Sequence, residues 1–159
     1  ELCCISPSAS LGKLEVVESL NGFREDFPVC EDYELWLRLC ARYEVGFINT
    51  PIVQKYGGHN DQLSRKFKAM DYFRVKALFP FLISSDLTQE ERDQVAHSIL
   101  FRCSILRDGL KKHGSGAFLA FGLDARHASR ELDLWRRAAG DSLNETKLSH
   151  SETGPSVRC

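Results

Sequence analysis

The chain has 159 residues, 43% of them hydrophobic and 27% charged, with a formal net charge of −1. That balance fits one soluble globular domain with a sizeable core, and it lacks the global positive field that draws proteins to nucleic acid. No apolar run approaches the roughly 20 residues needed to cross a bilayer and no signal-like segment opens the chain, so the expected compartment is the cytoplasm, with peripheral membrane association left open.

The first element is an apolar, strand-like run, "ELCCISPSASL", with no initiator Met before it. A central strand needs neighbours on both sides, so the expectation is that this chain is the C-terminal part of something larger. Next, Leu14, Val17 and Leu20 repeat at helical spacing, and Asn21-Gly22 closes that short helix. The segment "PVCEDYELWLRLCARY", residues 28–43, then predicts a helix over about 31–43. Leu35, Trp36, Leu39 and Tyr43 fall within roughly 60° of Asp32 at about 100° per residue. Glu31, Glu34, Arg38 and Arg42 gather on another face. Asp32 thus heads the apolar stripe, in a first turn where helix dipole and unpaired amides favour a charged carboxylate. Acids are also ordinary helix caps.

Two short β-prone runs follow, "VGFIN" and "IVQKY", separated by Thr50-Pro51. Strand, helix, helix, strand, strand is the order of an α/β or α+β sheet domain. From Ser64 the pattern turns helical. Phe67, Met70, Phe73 and Ala77 mark one apolar face, and Pro80 ends or kinks that helix. Thr88-Gln89-Glu90-Glu91 reads as a capping box, with Val95, Ile99, Cys103, Leu106 and Leu110 continuing behind it. Gly114-Ser115-Gly116 breaks the run, a weaker helical segment reaches about 139, and the polar last twenty residues read as a disordered tail.

The six cysteines include no C-x-x-C pair, so reduced packing thiols are expected in place of a zinc site or disulfide frame. The Asn144-Glu145-Thr146 sequon reads as accidental. Trp36, inside the apolar stripe, reads as a packing residue more readily than as a sugar-stacking platform.

Residues 5–64, "ISPSASL…NGFREDFPVCEDYELWLRLCARYEVGFINTPIVQKYGGHNDQLS", resemble the second half of the catalytic domain of family 2 glycosyltransferases, which have the GT-A fold. The shared features are the Gly-Phe-x-Glu turn, a Glu-Asp pair opening a helix with Leu-Trp-x-Arg, and a strand pair leading to a His-containing loop that ends in Leu-Ser. The following helices resemble the C-terminal segment of a bacterial subgroup. The resemblance implies an α/β chain: residues 1–64 as the acceptor-side half of a GT-A domain, 65–139 as a C-terminal helical segment, and 140–159 as the tail.

The same resemblance implies that Asp32 is the general base of an inverting sugar transfer from a nucleotide sugar to a hydroxyl acceptor. Glu31 would contact the acceptor or fix the loop, with a solvated acid as the alternative. On the loop "YGGHNDQLS", His59 would lie near the metal-diphosphate site, as a metal ligand or a cation facing the diphosphate; a plain loop histidine is the other reading. Lys55 is the nearest cation before it, where related enzymes usually carry Arg. Family members hold Mg²⁺ or Mn²⁺ through an Asp-x-Asp motif in their N-terminal half. No Asp-x-Asp occurs in this chain, so the donor-binding half is expected to be missing. The competing reading, from a different class, is a noncatalytic helical interaction module acting through the helices after Ser64.

Overall fold

The computed structural model describes residues 5–54, 56, 69–114, 116–119, 122 and 124–152. In chain order they form α1 (Leu14–Ser19), α2 (Glu31–Cys40), α3 (Asp71–Leu78), α4 (Gln89–His113), α5 (Gly116–Leu119) and α6 (Ala125–Glu152), with 3₁₀ turns at Pro7–Ala9 and Phe79–Ile83. The described residues contain no strand, which overturns the expected α/β fold with a GT-A sheet. The reason is that β-prone residues make a strand only where another strand accepts their backbone. "VGFIN" has the composition of a strand and no partner among the described residues.

The helices that do form carry their own start and stop signals. Thr88 accepts the Glu91 N–H at 3.3 Å while Glu91 accepts the Thr88 N–H at 2.7 Å, a closed capping box that opens α4. Gly114, at φ 66°, ends it. Asn21 and Gly22 both take positive φ, and the Gly22 N–H returns to the Val17 carbonyl at 2.9 Å, which closes α1. Pro80 converts the end of α3 into the 3₁₀ turn, having no N–H to continue the helix. α6 runs through to Glu152, so residues 140–152 are helix where the sequence suggested tail; Ala139, Leu143 and Thr146 continue its inward face.

α4 and α6 make the largest helix pair, α3 packs on α4, and α2 docks on α3. The core between them is aromatic in the middle. Tyr72 meets Trp135 at 5.1 Å and Phe118 at 5.9 Å between ring centres, and Phe27 stands edge-on to Phe73 at 5.9 Å. Among the described residues no helix is long and apolar enough to cross a membrane.

Candidate functional site

The sequence places its chemistry at the start of α2, and there the backbone takes a shape that side chains rarely allow. Cys30, just before the helix, lies at φ 60° and ψ 23° in the left-handed region. It is held there by burial: Phe27, Val29 and Cys30 all belong to the core. The Cys30 thiol donates to the Met70 carbonyl at 3.8 Å, and desolvation pushes it up to about 11 although Arg74 pulls the other way. A buried thiol pushed up in this way serves packing.

Glu31 and Asp32 follow in the first turn, both partly buried. Asp32 Oδ1 accepts the Tyr33 N–H at 2.7 Å, and neither acid forms an ion pair among the described residues. Behind this turn the Asp71 carboxylate takes two cations at once, Arg74 at 2.9 Å and the buried Arg102 at 2.5 Å. The Arg102 guanidinium also lies 5.8 Å from the Tyr33 ring centre, which ties the first turn of α2 to α4.

The other flank of α2 is clasped by a pair that helical spacing places away from the apolar stripe. Glu34 is 4% exposed and receives Arg38 in a two-point fork at 2.8 and 2.6 Å. Arg38 then donates to the carbonyls of Leu20 and Gly22, the latter at 2.8 Å, satisfying oxygens that the end of α1 leaves free. The buried side of α2 is therefore turned from the expected stripe. Glu34 and Leu35 are buried, Tyr33 and Leu37 pack on the core, and Tyr43 is exposed. The signal that could have found the clasp was the Glu-x-x-x-Arg spacing, which sets the two side chains one turn apart on the same face.

Beyond α2 the chain runs from residue 44 to 54 with every residue exposed, none at positive φ, and no hydrogen bond to or from it among the described residues. Val45, Phe47, Ile48, Ile52 and Val53 are 43% to 87% exposed there. His59 and Lys55, the two remaining candidates, lie outside the described residues, so the structure brings together only Glu31 and Asp32. No group of three or more His, Cys, Asp or Glu side chains among the described residues is placed to hold a metal ion. A groove of about 180 Å³ between α4 and α6 is lined by Cys103, Arg107, Leu132 and Arg136 among others and shares no residue with the start of α2.

Taken as a class, the described residues define a helical module with a clamped acidic helix start and an open apolar run beside it. Comparison with protein-family models, curated proteins and solved structures finds no match to this chain.

Proposed function

We propose that this chain is a noncatalytic helical module that acts by association, with residues 44–54 as its contact surface. The observation that supports it is the contrast between that run and the helices. The helices after Ser64, where the sequence suggested the interaction, turn their apolar faces into the core: Ile99, Cys103, Leu106, Leu132 and Trp135 are buried. The run 44–54 instead carries five large apolar side chains in water, on a backbone with no hydrogen-bond partner among the described residues. An apolar run of that kind marks an interaction site or an aggregation liability.

A second reading, sugar transfer by inverting displacement, draws support from one geometric feature: two acids without ion-pair partners among the described residues, at the start of α2, held from both flanks. In it Asp32 takes the acceptor hydroxyl proton as general base and Glu31 contacts the acceptor. Lys55 and His59 would face the leaving diphosphate. The metal and its Asp-x-Asp ligands would come from a donor-binding polypeptide, because this chain has no such motif.

Two readouts on the purified chain test the association reading. The purified chain is incubated with Mn²⁺ and a panel of nucleotide sugars, and free nucleotide is measured alongside fluorescence of an apolar-surface dye. The association reading expects no turnover, together with dye binding that Phe47→Asp/Ile48→Asp removes while helical circular dichroism stays unchanged. Turnover that Asp32→Asn lowers by about 10²-fold or more would overturn it in favour of sugar transfer.

A further inference from the structure

We infer that the groove between α4 and α6 binds a small organic monocarboxylate, with its carboxyl group between Arg107 and Arg136 and its apolar body on Cys103, Leu110 and Leu132. None of these residues belongs to the run 44–54, so this inference stands apart from the association reading.

The order of charges along the chain makes the groove positive. α4 and α6 run antiparallel: the Gln89 side-chain amide donates to the Thr146 hydroxyl at 2.7 Å, which joins the start of α4 to the far part of α6, while Cys103, Arg107 and Leu110 share the groove with Ser129, Leu132 and Arg136. Residues 101–113 and 125–137 therefore lie side by side, and they carry eight Lys and Arg against three Asp and Glu. The remaining stretches of the two helices, 89–100 and 138–152, carry two against six. A chain with a net charge of −1 is thus divided along this helix pair into a basic and an acidic half, and the groove opens in the basic one.

The lining repeats that balance at close range. Arg107 and Arg136 stand on opposite helices, and Asp133, the one carboxylate among the lining residues, meets Arg136 at 3.8 Å. Arg107 forms no ion pair among the described residues. Desolvation pushes the buried Cys103 thiol up to about 11, and Arg136 and then Arg107 pull the other way, so the field of both guanidinium groups reaches the groove floor.

Both parts of the ligand follow from what each would gain alone. An inorganic anion gains little, because both arginines are exposed and water screens them. An uncharged apolar molecule displaces water from the guanidinium groups and offers them no acceptor in return. A carboxylate with an apolar body covers Leu110 and Leu132 and presents two acceptor oxygens to cations on opposite helices. Two guanidinium groups against Asp133 leave one net positive charge, which a monoanion neutralises and a dianion overshoots. The volume of about 180 Å³ lies below that of pockets for drug-sized molecules and limits the body to roughly eight carbons. A ligand of that size on an open groove binds with a dissociation constant on the order of 0.1–1 mM.

The test titrates octanoate into the whole chain at pH 7 and follows residue-resolved amide shifts by nuclear magnetic resonance. Saturable shifts centred on 103–110 and 129–136 are expected. Acetate, which has the head without the body, and octylamine, which has the body with the opposite charge, are each expected to bind about tenfold or more weaker. Arg107→Gln and Arg136→Gln should each weaken octanoate about threefold or more, with helical circular dichroism unchanged, because both side chains are exposed. Arg130→Gln removes a charge from the same basic half without lining the groove and should change the affinity less than about twofold. No saturation by about 10 mM octanoate, shifts centred on 45–53 in place of the groove, or octylamine binding as tightly as octanoate each overturns the proposal. An Arg130→Gln loss equal to that of Arg107→Gln also overturns it, because the anion would then be sensing the basic half and not the groove. Octyl phosphate, a dianion at pH 8, binding about tenfold tighter than octanoate there would overturn the choice of a monocarboxylate.

Discussion

The helices from Asp71 onward and the run from Glu44 to Gln54 carry similar apolar residues and meet opposite ends. Ile99, Cys103 and Leu106 on α4 recur at three- and four-residue steps, as do Ala128, Leu132, Trp135 and Ala139 on α6, and all are buried. Val45, Phe47, Ile48, Ile52 and Val53 are all exposed. A helix completes most of its backbone hydrogen bonds within itself, so it needs only another face to pack on, and the two long helices supply that to each other. A β-run needs a second backbone before its side chains have anywhere to go. Hydrophobicity alone therefore does not decide burial; the period of the pattern decides where the partner has to come from.

The largest effect should come from a matched pair of truncations across that divide. Trp135 packs at a tilt against Tyr72 at 5.1 Å and Phe79 at 6.3 Å, and Trp135→Ala is expected to cost about 3–5 kcal/mol and to lower the melting temperature steeply. Ile52→Ser removes an apolar side chain that is 69% exposed, and its effect on a dilute monomer should stay within about 0.5 kcal/mol. Thermal unfolding by circular dichroism measures both. Comparable losses would mean that the run is part of the core's cooperative unit and that the contrast between the regions is false.

A smaller effect should sharpen how α2 is joined to the helices behind it. Among the described residues the Asp71 carboxylate is shared by Arg74 and Arg102, so Asp71→Asn removes a counter-charge from both guanidinium groups. Arg102 is deeply buried while Asp71 and Arg74 keep about a fifth of their side-chain exposure, which places the expected cost at about 2–3 kcal/mol, below that of a fully buried pair. Because Arg102 reaches Tyr33, the loss should also appear as faster amide exchange in the first turns of α2. Unchanged exchange there would show that the Arg102–Tyr33 contact does not hold the first turns of α2.

Local signals made the helix boundaries legible. Thr88 with Glu91, Gly114, Asn21-Gly22 and Pro80 each act within a few residues, and each stands where its chemistry indicates. Non-local partners were not legible. Glu34 looks solvated until Arg38 is seen bridging it to the carbonyls of Leu20 and Gly22, and Asp71 gives no hint of Arg102, 31 positions away. Residues 45–49 read as a strand because propensity is local, whereas strand pairing is not. Of the candidate site, the place of Glu31 and Asp32 in a first turn could be read, since acids favour that position. What would face them could not, because no pattern within one helix encodes it.

The smallest effect concerns a helix end that owes nothing to the core. The Thr88 hydroxyl and backbone N–H both donate to the Glu91 carboxylate, at 2.8 and 2.7 Å, and hold its pKa below the usual value of 4.5, the backbone bond contributing most. A carboxyl whose folded pKa is depressed adds stability that is present above its unfolded value and is lost as pH falls through the folded one. The contribution should therefore be full at neutral pH and fade below about pH 4.5. Thr88→Ala removes the hydroxyl that caps the Glu91 N–H and is expected to cost about 1 kcal/mol at pH 7. It keeps the backbone bond, so Glu91 should retain part of its depression, and the gap in melting temperature between wild type and Thr88→Ala should narrow as pH drops from 5 to 3. A gap that stays constant over that range would mean the hydroxyl acts as a cap for the Glu91 N–H alone and takes no part in holding the carboxylate.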